Sequence, residues 1–228
     1  MKSYNREQSS NIPGLDYELQ SNNPVVSSPL SPYELPFYQT REDLLDIDVY
    51  KRFLVNAEKR FRQSNTYTLY KSRLIDLGLD RCQVHGNINA EMATIEMHHN
   101  VLTLFDITYI IAEHILNTTG FISTFDLVYA LKKVHVENKV QLVMLSLTPH
   151  QLYHNSEGLY IHPSMCFGNW MEFLKEYKYG ISIDIANKVI EYLELSMDID
   201  KTYDSGILDL VDKLKDWSVY NERSGKFY

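Results

Sequence analysis

Four histidines are spaced so that they could act together. Glu96-Met97-His98-His99 closes the run MATIEMHH, whose composition suits a short strand. Downstream, His150 and His154 stand four residues apart, just after a second apolar run, QLVMLSL. Residues four apart on a helix share a face, and two imidazoles on one face can each give a ring nitrogen to a divalent ion. Pro149 marks the start of that helix, where a missing N–H costs nothing. The order along the chain is therefore strand, paired histidines, strand, and a helix bearing two more histidines.

This pattern resembles the HNH (His-Me finger, ββα-metal) endonuclease family over about residues 80–157. IEMHH resembles the family's first-strand histidine pair, and LVMLSLTPHQLYH resembles its closing strand and helix. The resemblance implies two strands and a helix clamped around one divalent ion. It implies His98, His150 and His154 as metal ligands and His99 as the base that activates water. An amide would hold the base histidine or its loop. Counting back from His150 gives Gln141, while Asn138 lies close by in an adjacent loop, and both stay open.

The chemistry so implied is metal-dependent hydrolysis of nucleic-acid phosphodiester bonds, with DNA favoured by the resemblance. A neutral imidazole can take the water proton. The ion would bind the phosphate and stabilise the leaving oxygen. An all-imidazole ligand set favours Zn or Ni, while family members also work with Mg or Mn, so one divalent ion from these four is expected. Glu96, two residues before His98, shares its side of the strand and could hydrogen-bond a ligand histidine. Many HNH domains also hold a structural zinc in two CxxC pairs. Here the first pair corresponds only to Cys82-x-x-His85 and the second falls on Ser146 and Pro149, so no zinc site of that type is expected. Cys82 and His85 with His162 and Cys166 form an alternative zinc set. His135 and His162 otherwise read as structural or solvent-facing, and His114 as a core-edge residue.

A second reading needs no catalysis: an inactive HNH-like interaction or structural protein in a phage assembly or nucleic-acid machine. IEMHHNVLTLFDI and GNWMEFLKEY resemble proteins encoded by tailed bacteriophages. The net charge of -8 also has the wrong sign for a nucleic-acid binder. The charge is uneven, however. Residues 51–81 carry Lys51, Arg52, Lys59, Arg60, Arg62, Lys71, Arg73 and Arg81 against Glu58, Asp76 and Asp80, a net +5 that leaves -13 on the rest of the chain. Lys51, Arg52, Lys59, Arg60, Lys71 and Arg73, with Arg62, are candidates for contacting a phosphate backbone, or else an acidic partner. The 17 tyrosines point to contacts beyond the monomer, including a homo-oligomer.

The elements that must position these residues follow from periodicity and caps. Residues 1–40, rich in Ser, Asn, Gln and Pro, read as an extended or disordered arm that could dock on a protein partner. Residues 41–80 read as a basic helical segment, with Tyr50, Phe53, Leu54, Ala57 and Phe61 on one face of a helix over 47–63. Residues 81–157 read as the HNH-like core with two inserted helices. Thr103 with Asp106 caps the first, Gly120 ends it, and Ser123 with Asp126 caps the second. Residues 158–228 read as a helical C-terminal region. The fold class expected is α+β, mainly helical, with a ββα-metal element and flanking helices. The chain has no Gly-rich phosphate loop, dinucleotide fingerprint or nucleophile elbow. It has no apolar run that could span a membrane or serve as a secretory signal. Two cysteines fit a reducing interior. A cytoplasmic location in a host cell is expected, with a place in the virion as the alternative.

Overall fold

The computed structural model describes residues 37–154, 159–201 and 205–219. The N-terminal arm read from sequence lies outside the described residues up to residue 36. Its last residues do not: Tyr38–Thr40 form strand β1.

In chain order, β1 is followed by helices α1 (Ile47–Arg62) and α2 (Asn65–Asp76), then strand β2 (Ile95–His99). Helix α3 (Leu104–Thr119), strand β3 (Phe121–Ser123) and helix α4 (Thr124–Val136) come next. Strand β4 (Leu142–Ser146) and helix α5 (Leu147–His154) complete the region read as the core. Helices α6 (Trp170–Glu176), α7 (Ile183–Asp200) and α8 (Ser205–Val219) follow. The fold is α+β and mainly helical, with two small antiparallel sheets of two strands each.

Local chemistry explains the helix ends. Asp46 accepts hydrogen bonds from the backbone N–H groups of Asp48 and Val49 and so starts α1. Thr103 with Asp106 and Ser123 with Asp126 form complete capping boxes at α3 and α4. Gly120 ends α3 at φ 83°, a left-handed conformation that costs glycine little.

Helices α1, α3 and α4 pack on one another and build the main core. Tyr50, Phe53, Leu54, Ala57 and Phe61 of α1 meet Ile107, Ile110 and Ile111 of α3 and Leu127, Leu131 and Val134 of α4. Each such aliphatic or aromatic side chain contributes about 1.5–3 kcal/mol on full burial. That burial must carry the strands, because a lone two-stranded ribbon is marginal in water.

The functional candidates ride on the β2–β4 ribbon. His98 lies opposite Val143 and His99 opposite Leu142 in its register. Alternation along each strand gives the ribbon two faces. Met97, Leu142 and Met144 join the main core. Val143 and Leu145 pack with Ile161, Val84 and Tyr153 in a smaller cluster on the other side. The far edge of β4 is covered: Phe167 exchanges both backbone hydrogen bonds with Leu142, and the N–H of Gln83 donates to Met144 O at 2.8 Å. The side-chain oxygen of Gln83 accepts from Met144 N–H at 2.6 Å.

Candidate functional site

Strand alternation separates the paired histidines. His98 projects toward α5, where its ring centroid lies 5.0 Å from that of His150 and 4.4 Å from that of Tyr153. Glu96 lies on the same side, but it engages His150: its Oε2 lies 2.6 Å from His150 Nδ1. His98, His150 and Glu96 thus come together. The side chain of His154 falls outside the described residues.

The expected metal centre is corrected here. Among the described residues, no group of three or more His, Cys, Asp or Glu side chains is arranged to hold a metal ion. Among the described residues the donor set does not fit Zn, Ni, Mn or Mg, for physical reasons. His98 meets the Tyr153 ring edge to face, His99 is directed to the opposite face, and Glu96 faces His150 Nδ1 as a hydrogen-bond partner, so no third ligand joins His98 and His150 among the described residues. The two strands pair and a helix follows them, yet no distinct ββα-metal motif results.

His99 enters the main core, where it is 7% exposed. Its Nε2 lies 2.9 Å from Nε2 of His135, which is 0% exposed. His135 Nδ1 sits 2.7 Å from the carbonyl oxygen of Leu131, so Nδ1 carries the proton and donates it there. His135 Nε2 is then an acceptor, and His99 Nε2–H donates to it. Phe61 and Tyr70 close around His135, with ring centroids at 4.4 and 5.8 Å. Burial pushes His99 well below the ordinary imidazole range, and the charges of His135, Arg62 and His98 act in the same direction. Burial likewise pushes His135 down to about 4, although its bond to Leu131 opposes the shift. The pair is a neutral, water-excluded hydrogen-bonded unit. The pattern that marks His135 as buried was present in the sequence: it follows Leu131 by four residues and Val134 by one on the apolar side of α4.

The two candidate amides lie apart from each other. Asn138 is an exposed residue just beyond α4, at φ 56°, a conformation that asparagine tolerates better than most. Gln141 is buried and bonds to Asn100 and Tyr192. Asn100 escaped the sequence reading. Its Nδ2 donates to Tyr192 Oη at 2.7 Å and to Cys166 Sγ at 3.2 Å, joining the end of β2 to α7 and the 161–166 loop. Tyr192 Oη in turn donates to Ile161 O at 3.0 Å. Only the direct adjacency to the histidine pair pointed to Asn100.

The alternative zinc set is not assembled either. The thiol of Cys82 is pushed up by burial but lowered overall by hydrogen bonds from Ser146, His85 and Val84. Cys166 sits against Asn100, and burial pushes its thiol up to about 11. His162 bonds instead to Ser164, Ser196 and Asp200. His114, read as a core-edge residue, packs against the rings of Tyr177 and Tyr179.

The basic segment lies on α1 and α2. Lys51, Arg52, Lys59, Arg60, Arg62 and Arg73 are exposed and Lys71 is half-buried. No helix among the described residues is long and apolar enough to cross a membrane.

No curated protein and no solved structure matches the chain. Residues 18–221 match the model of a family described as bacteriophage G278-like virion protein. That match spans nearly the whole sequence, including every described residue, and the chain belongs to the bacteriophage G278-like virion protein family.

Proposed function

We propose that this chain is a non-catalytic interaction protein of a phage particle. The match of residues 18–221 to a virion-protein family carries this reading. The site geometry supports it. The histidines that suggested phosphodiester hydrolysis serve packing and hydrogen bonding: His99 with His135 in the core, and His150 with Glu96 beside α5. The fold is a β2–β4 ribbon followed by α5 and packed on helices, without a metal-ligating cluster among the described residues. Its rigid ribbon and three-helix core then hold surfaces for neighbours in the assembly.

The experiment is a cleavage assay on supercoiled plasmid with the full chain, supplied in turn with Mg, Mn, Zn and Ni. The plasmid is expected to stay supercoiled in every case. Nicking that disappears in the His98→Ala plus His150→Ala variant would overturn the proposal.

A further inference from the structure

Helix α1 carries positive charge that the fold does not neutralise. Tyr50, Phe53, Leu54, Ala57 and Phe61 take its buried face. With 3.6 residues per turn, Arg52, Asn56, Lys59 and Gln63 then fall together on the face opposite, with Lys51 and Arg62 along one flank and Arg60 along the other. All seven are exposed. From Arg52 to Gln63 that outer stripe contains no carboxylate. The one acid in this stretch, Glu58, is on the Arg62 flank and paired with Arg62 at 2.9 Å. Helix α2 follows directly and carries half-buried Lys71 and exposed Arg73 on the two flanks of its buried residues Tyr70 and Leu74.

Elsewhere on the molecule several cations meet acids, though Lys132 and Lys175 do not among the described residues. Lys133 and Lys139 contact Glu176, Lys188 contacts Asp106, and Arg41 contacts Glu113. By contrast, Lys51, Arg52, Lys59, Arg60, Lys71 and Arg73 make no ion pair among the described residues. On a chain of net charge -8, the run of exposed cations from Lys51 to Arg62, broken by exposed Val55 and preceded one turn earlier by exposed Asp48, is a concentrated exception.

We infer that the outer face of α1, with the cations of the adjoining α2 beside it, binds the phosphate backbone of nucleic acid without reading its sequence. Arg and Lys neutralise phosphates, and side-chain amides such as those of Asn56 and Gln63 donate hydrogen bonds to phosphate oxygens. The rise from Arg52 to Arg60 is about 12 Å, long enough for the stripe to meet successive phosphates of a strand. The acidic body of a second copy is the competing occupant. The stripe has no aromatic anchor and includes Lys51 and Lys59, a residue type depleted at protein interfaces, while its Arg residues suit either occupant; the missing aromatic anchor favours phosphate. The inference goes beyond the particle role, since it assigns a contact to the genome that a particle encloses.

The test is fluorescence anisotropy of a labelled random-sequence DNA duplex titrated with the full chain. Six phosphate contacts predict affinity falling about 10³-fold between roughly 50 and 200 mM salt. The Arg52→Glu, Lys59→Glu, Arg60→Glu variant should lose at least about 10²-fold in affinity at low salt. The Gln versions of the same three positions should fall between it and the wild type. Circular dichroism of both variants verifies that they fold, and the Gln set carries the test if the Glu set does not. Absence of binding by wild type at low salt would overturn the inference, as would equal binding by the folded variants. Low-salt self-association of the wild type in sedimentation, lost in the variants and without DNA binding, would assign the face to a second copy instead.

Discussion

His99 and His135 share a hydrogen bond of 2.9 Å between their Nε2 atoms inside the helical core, and Leu131 fixes which of the two donates. Both imidazoles are held neutral by burial, and both therefore bind protons less readily in the folded chain than in the unfolded one. The folded pKa values lie below the unfolded value near 6.5, so stability present at neutral pH is lost as pH falls below about 6.5. For His135 the loss continues down to about 4. Each histidine should cost about 1.4 kcal/mol per pH unit in that window. Urea midpoints measured from neutral pH down to about pH 5 should fall steeply in wild type and less steeply in the His99→Leu plus His135→Leu variant. Parallel pH profiles for the two proteins would show that this pair is not the source.

Gly180 lets the chain after α6 press against α3. A methyl group there would collide with the carbonyl oxygen of Ile110 and come within 2.9 Å of His114 N. Both obstacles are backbone, which cannot rotate away. Gly180→Ala should cost about 3 kcal/mol or more. Gly86→Ala, where the added carbon meets nothing within 4 Å, is the control and should change stability by less than about 0.5 kcal/mol. Equal thermal midpoints for the two variants would contradict the packing described.

Glu113 of α3 is a buried carboxylate with two donors. Tyr50 Oη lies 2.7 Å from its Oε1 and Arg41 donates to its Oε2 at 3.0 Å. Burial, then the charge of Glu113, raises the Tyr50 phenol well above its ordinary range, so it stays a donor at any physiological pH. Tyr50→Phe should cost about 1–3 kcal/mol, because the charged acceptor loses its buried partner while the ring still fills the space. Chemical denaturation of Tyr50→Phe and Glu113→Gln checks this, and an unchanged midpoint in the former would remove Glu113 as an anchor of α1.

The parts of this fold that were legible in the sequence are the ones set by neighbouring residues. Thr103 with Asp106, Ser123 with Asp126 and Gly120 mark helix ends by chemistry spanning three residues, and the structure places them there. The apolar stripe of α1 came from its period. Strands β1 and β3 did not come through, because three residues carry too little alternation to signal a strand and they pair across more than eighty positions of sequence. The histidines were misleading for the same reason. Spacing suggested His98 and His150 as ligands of one ion; their ring centroids lie 5.0 Å apart without a metal-holding group among the described residues, and spacing carries no information on where the other face of β2 packs. His135, fixed on α4 by its apolar neighbours, meets His99 only after β2 pairs with β4.

The most direct measurement is quantitative mass spectrometry of gradient-purified phage particles that encode this chain. Its peptides should be present at a fixed ratio to the major shell protein and be retained after washing. Peptides found in the infected-cell lysate but absent from the purified particles would contradict a role in the particle.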